Sequence, residues 1–121
     1  MTEAESVLFE RAAPQVLDTY AALLGVIGLL GPFIVEAKKT SIHLVAGSAF
    51  AGVHPQKSKL RLNIVTDRRL EGPRIRKVEQ VSARRFHNEI DLVTPADIDD
   101  DVRGWLAEAY SLFTRPPPSR T

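Results

Sequence analysis

The 121-residue chain contains no cysteine, one methionine and one tryptophan, and aromatic residues make up 7% of it. Without cysteine there is no disulfide framework, no thiolate metal site and no cysteine nucleophile, and a reducing compartment is the fitting one. So few aromatics leave little material for the base stacking that single-strand binders use. The longest greasy stretch, residues 21 to 30, falls well short of the roughly 20 residues that cross a bilayer. Met1-Thr2-Glu3-Ala4-Glu5 is acidic where an export signal needs a basic start and a long apolar run. The expectation is a cytoplasmic protein with no membrane association. Neither a Gly-Lys-Ser run nor a Gly-x-Gly-x-x-Gly run opens a helix, so no phosphate loop is evident.

What the chain does have is charge sorted along its length. Residues 38 to 85 carry 12 basic and 3 acidic residues, a net +9, while residues 1 to 37 and 86 to 121 each sum to −4. The formal total of +1 therefore conceals a basic middle. That middle either folds into one positive face or is neutralised by the acidic ends.

Length and a hydrophobic content of 44% suit one domain with a single core, burying roughly two-thirds of the unfolded-chain surface. We place that α+β domain at residues 1 to 115, followed by a disordered Pro-rich tail at 116 to 121. Val16, Leu17, Tyr20, Leu23, Leu24 and Ile27 recur at steps of three and four, which predicts a helix ended by Gly28, Gly31 and Pro32. Pro14 belongs in a first turn, so residues 5 to 11 form a separate short element. From Phe33 to Val93 a strand-and-turn rhythm takes over, clearest in Leu60-Arg61-Leu62-Asn63-Ile64, where three aliphatics share a face. The turn residues at 46–48 and 54–58 predict two successive hairpins, hence an antiparallel meander, and Glu71-Gly72-Pro73 begins a looser connection, within an antiparallel sheet of about five strands. Gly47 suits a turn, and Gly52 a bulge or a close backbone approach. Thr94-Pro95 and Asp97 announce a helix over residues 95 to 113, with Trp105 as its core anchor. The predicted architecture is two-layered, with the N-terminal and C-terminal helices on one face of the sheet.

Four segments carry a resemblance: Glu36-Ala37-Lys38-Lys39-Thr40-Ser41-Ile42-His43-Leu44, Ser48-Ala49-Phe50-Ala51-Gly52-Val53-His54-Pro55, Val78-Glu79-Gln80-Val81-Ser82 with Arg85-Phe86-His87, and Trp105-Leu106 with Ala109-Tyr110. Through these the chain resembles a bacterial family of small domains of unknown function. Such domains occur alone or at the C-terminus of proteins described as predicted transport or nuclease-like, and they are distantly similar to YdhG-like α+β domains. The resemblance implies a fold and supplies no catalytic residues.

Any site must then come from the residues. Glu36, Ser41, His43, His54 and His87 form one candidate polar cluster, and with Glu89 or Asp91 the histidines offer nitrogen and oxygen ligands. Their spacing matches no ligand signature, and no metal or other cofactor is assigned. Glu36-x-Lys38 is the strand half of one nuclease superfamily's metal site, but the nearest upstream acid, Asp18, falls in a helix. Ser41 and His43 share a strand face without a third group or an oxyanion loop. The basic middle is the better lead. Lys38, Lys39, Arg74, Arg76, Arg84 and Arg85 are the candidate anion or nucleic-acid contacts, provided the sheet presents them together. The sequence thus reads as an accessory or binding domain with no catalytic residues, recognising an anionic partner through a basic sheet surface. A nucleic acid or an acidic protein fits as partner, with a second copy as an alternative cover for the exposed sheet face. The competing reading is a metal-dependent, nuclease-like hydrolase using Glu36, Lys38 and the histidines.

Overall fold

The structure is a computed structural model, and it describes residues 1–114; the Pro-rich tail lies outside them. Period-2 alternation builds the sheet. Its strands are β1 (Ile34–Ala37), β2 (Ile42–Ala46), β3 (Ser48–Pro55), β4 (Leu60–Thr66), β5 (Lys77–Ser82) and β6 (Arg85–Leu92). All neighbours are antiparallel, in the order β1-β2-β3-β4-β6-β5. Register aligns the aliphatics across strands: Ile42 faces Val53, Val53 faces Leu62, and Leu62 faces Ile90. These residues are buried, and the residues between them along each strand are more exposed.

Two long helices, α2 (Pro14–Gly28) and α3 (Asp100–Thr114), add Val16, Leu23, Ile27, Val102, Leu106 and Ala109 to the same buried cluster. α3 packs on β2, β3 and β4, and α2 packs on β4 and α3. The short α1 (Glu3–Leu8) begins with a capping box: the Glu5 N–H donates to Thr2 Oγ1 at 3.2 Å, and the Thr2 N–H donates to Glu5 Oε1 at 3.0 Å. The second Glu5 oxygen accepts from the Tyr20 hydroxyl at 2.6 Å, tying α1 to α2 inside the fold. α2 starts on Pro14 with no side-chain cap.

The observed fold departs from the expected one at four points. The sheet has six strands, where about five were expected, because no two of the strand segments fuse: β1, β2 and β3 are separate strands paired in turn. The meander ends at β4; the chain then crosses to the far edge, and β6 returns between β5 and β4. Leu70 secures this crossing, being 1% exposed with its N–H held by buried Asn88 at 3.0 Å. The bulge falls at Phe50 and not at Gly52: Leu44 pairs with Ala51 and Val45 with Ala49, which leaves Phe50 without a partner. Phe50 turns into the core and meets the Tyr110 ring edge-on at 5.4 Å. Finally, the expected 95–113 helix is split. A 3₁₀ turn at Pro95–Asp97 is closed by the Asp97 carboxylate, which accepts from the Val93 and Thr94 N–H groups. α3 starts afresh after Asp99, whose Oδ1 accepts the Val102 N–H at 3.0 Å.

Gly47 does serve the β2–β3 turn. Its φ of 78° is left-handed, and a Cβ there would sit 2.5 Å from the Phe113 carbonyl oxygen.

Candidate functional site

On the sheet face opposite the aliphatic rows, the register forms one continuous row across all six strands. Glu36 faces His43, His43 faces Gly52, Gly52 faces Asn63, Asn63 faces Glu89, and Glu89 faces Lys77. A second row runs His54, Arg61, Asp91. Gly52, the one residue in these rows without a side chain, leaves a depression between them. The result is a cleft of about 340 Å³ whose lining includes His43, Gly52, His54, Arg61, Asn63 and Glu89. Ser41 and Gln56 complete its polar rim. A smaller hollow of about 160 Å³ adjoins it, where His43 and His87 flank Gly52, Asn63 and Val65.

Arg61 is the organised charge of this cleft. Its Nε donates to Asp91 Oδ1 at 3.0 Å and lies 3.9 Å from Glu89 Oε1. Its two terminal nitrogens donate no hydrogen bond among the described residues, and the side chain is 21% exposed. The bond to Asp91 raises the Arg61 guanidinium above its ordinary value, against a smaller opposing effect of burial. Burial alone would raise the Asp91 carboxyl, but hydrogen bonds from Arg61 and Lys59 outweigh it and hold that carboxyl low. Arg76 braces the two acids from the other side, 3.5 Å from Glu89 and 3.7 Å from Asp91. Asn63 Nδ2 lies 3.2 Å from His87 Nδ1, within hydrogen-bond distance. Asn63 Oδ1 is buried and accepts no hydrogen bond among the described residues.

The residues expected from the sequence distribute unevenly around this geometry. Ser41, His43 and His54 converge on the cleft, and His87 lies beyond Asn63 in the adjoining hollow. Glu36 stands opposite His43 but pairs with Lys38 at 3.3 Å on the edge strand. Among the described residues, no group of three or more His, Asp or Glu side chains is arranged to hold a metal ion. The six basic candidates fall at three places along the sheet: Lys38 and Lys39 follow β1, Arg74 and Arg76 precede β5, and Arg84 and Arg85 lie at the passage from β5 to β6. Lys39 is exposed in the β1–β2 turn and Arg84 in the β5–β6 turn. Arg74 is bound to Asp99 at 2.6 Å and to the Asp97 carbonyl at 3.0 Å, Arg76 braces Glu89 and Asp91, and Arg85 covers the Phe113 ring of α3 at 5.1 Å. Half of the middle segment's basic residues are met by acids: among the described residues, six of its twelve, Lys38, Lys59, Arg61, Arg68, Arg74 and Arg76, lie within 4 Å of a carboxylate.

Sequence reasoning passed over Asn63 and Gln56 as site residues, and Arg61 entered it only as one basic residue among those of the middle segment. The signal was present, because the alternation that buries Leu60, Leu62 and Ile64 necessarily sets Arg61 and Asn63 side by side on the other face.

A family model described as a domain of unknown function (DUF5655) matches residues 5–112. No curated protein and no solved structure matches the chain. Among the described residues, no helix is long and apolar enough to cross a membrane.

Proposed function

The chain belongs to the DUF5655 family, and we propose that it is a binding domain without turnover, which receives an anionic group in the cleft beside Arg61. In this reading the helices cover one sheet face and leave the other to the ligand. One observation carries it: a cleft-lining guanidinium tethered through Nε to Asp91, whose two terminal nitrogens donate no hydrogen bond among the described residues. A tethered fork has already lost much of its rotamer freedom and matches the planar geometry of a carboxylate or the edge of a phosphate. His43, His54 and Gln56 add hydrogen-bonding groups around it.

The recognition surface proposed here is narrower than a basic sheet, since most of the basic side chains outside the cleft are paired, stacked on a ring or set in turns. The hydrolase reading gains no support: Glu36 and Lys38 pair with each other, and among the described residues the histidines do not converge with carboxylates into a metal-holding group.

Backbone and side-chain NMR shifts during titration with acetate and inorganic phosphate at low ionic strength test the proposal. Perturbations should concentrate on His43, Gly52, His54, Arg61 and Asn63. Shifts confined to Lys39, Arg84 and other turn residues would replace the cleft with diffuse surface attraction.

A further inference from the structure

The charged lining of the cleft is of mixed sign. Arg61 and Glu89 both face it, with Nε and Oε1 3.9 Å apart, and each is countered from outside, Arg61 by Asp91 and Glu89 by Arg76. A dianion placed on Arg61 would meet the Glu89 carboxylate at close range, in a partly buried setting where that repulsion is weakly screened. A simple cation on Glu89 would meet Arg61 in the same way. A ligand that carries both charges close together satisfies both walls at once and leaves the net charge of the cleft unchanged.

Resting on the anion-binding reading above, we propose that the ligand is a compact zwitterion of the free amino-acid type. Its carboxylate lies on the terminal nitrogens of Arg61, and its ammonium lies against Glu89. In an α-amino acid a single carbon separates the two groups, which suits an arginine and a carboxylate this close together. The cleft, at about 340 Å³, is at the lower end of the range for small-molecule sites and leaves room for a side chain. His54 and Gln56 at the rim, together with Ser41, offer that side chain hydrogen bonds.

Gly52 forms the floor. A Cβ on it would come no nearer than 3.9 Å to the Ile42 carbonyl oxygen and 4.0 Å to the Asn63 Cβ, so an alanine fits the fold without strain. Its methyl group would project into the space that the ligand occupies. Gly52→Ala is therefore a block that removes no charge and breaks no hydrogen bond.

Calorimetric titration of the full chain with glycine, L-serine and L-glutamine, against acetate and methylammonium, tests the assignment. The amino acids should bind at least about tenfold more tightly than either half-ligand, since each half forgoes one charge-assisted contact. Glu89→Gln should reduce amino-acid affinity to about that of acetate, and Gly52→Ala should weaken amino-acid binding while the thermal midpoint holds or rises. Acetate binding as tightly as glycine, or amino-acid binding indifferent to Glu89→Gln, would overturn the zwitterion and leave the anion site standing. If neither amino acids nor acetate bind, and the NMR map of the cleft is silent, both readings fail together. Should Glu89→Gln unfold the protein by releasing Arg76, the comparison of whole and half ligands in the native chain and in Gly52→Ala still decides.

Discussion

Asn88 on β6 holds the backbone of Leu70, accepting its N–H at 3.0 Å from a position with no solvent exposure. The Asn88 amide nitrogen also donates to the Ile64 carbonyl at 2.9 Å and to Thr66 Oγ1 at 2.8 Å. One buried side chain thus fixes the point where the chain leaves β4 and crosses to the far edge of the sheet. Leu70 itself is buried at that crossing.

Asn88→Leu should therefore be costly although it adds apolar bulk. It leaves the Leu70 N–H without its acceptor and removes the donor to Ile64 and Thr66, at roughly 1 to 3 kcal/mol for each buried group left unpaired. Chemical denaturation should show a loss of about 3 kcal/mol or more, with protease cleavage appearing first between residues 67 and 76. A near-neutral substitution would mean that this crossing is held by Leu70 packing alone.

These residues also mark where sequence reading reaches its limit. The alternation in Leu60-Arg61-Leu62-Asn63-Ile64 defined a strand and its buried face, because a period of two leaves no other way to share the aliphatics. It did not place Asn88, which occupies a core-facing position of β6 and looks in sequence like any polar strand residue. The start signal at Thr94-Pro95 was legible. The break after it was not, because Asp97 and Asp99 compete as caps and each holds its own short stretch of backbone. Charge segregation was plain from the sequence, but its cancellation by partners such as Arg74 with Asp99 and Arg68 with Glu108 depends on tertiary contacts that no local pattern encodes. His43 and His54 were identified as candidates, whereas the floor that makes a cleft between them is a glycine whose role is the absence of a side chain.

Trp105 and Leu106 separate anchor from core on α3. Trp105 is half-buried at the edge of the hydrophobic cluster, whereas Leu106 is fully buried within it. Leu106→Ala should cost about 2 to 5 kcal/mol through the cavity it leaves. Trp105→Ala should cost less than Leu106→Ala despite removing more atoms, because its site is already open to solvent on one side. Urea denaturation of both variants under one condition makes the comparison, and a larger loss for Trp105 would reverse this ordering.

The Glu5–Tyr20 contact predicts an acid-sensitive N-terminus. Burial by itself would raise the Glu5 carboxyl, but the Thr2 N–H, the Tyr20 hydroxyl and the Thr2 hydroxyl all donate to it, and together they hold it below its ordinary value of 4.5. A carboxyl lowered in the folded state adds stability that is present above pH 4.5 and is lost as pH falls through the lower, folded value. Unfolding free energy should accordingly decline below about pH 4.5, and Glu5→Gln should flatten that part of the profile. At pH 7 Tyr20→Phe should cost about 1.5 to 3 kcal/mol, as expected for a hydrogen bond to a buried charged group. A Glu5→Gln profile identical in slope to that of the native chain would show that the acid response originates elsewhere.

Nucleic acid offers the sharpest contrast with a small ligand in the cleft. A protein that tracks phosphates with n cationic contacts loses duplex affinity with a log–log salt slope of about −0.9 for each contact. Half of the basic residues in the central segment already face carboxylates, while Arg85 covers the Phe113 ring and Arg69 lies 5.8 Å from the Phe86 ring centroid. Lys39 and Arg84 occupy separate turns, between β1 and β2 and between β5 and β6. Lys57, between β3 and β4, and Lys77, on β5, likewise have no carboxylate within 4 Å among the described residues; with the unpaired cations spread over separate elements, the slope on a labelled duplex should not exceed about 2 in magnitude. Half-saturation should lie beyond tens of micromolar protein at 50 mM salt. Single-stranded DNA should fare no better, since Phe50 is buried in the core and Phe86 is partly covered by Arg69. Fluorescence anisotropy across a salt series measures both quantities. A slope near −4 that falls by about one unit in Arg84→Ala and again in Lys39→Ala would place those turns on a shared phosphate track and move recognition away from Arg61.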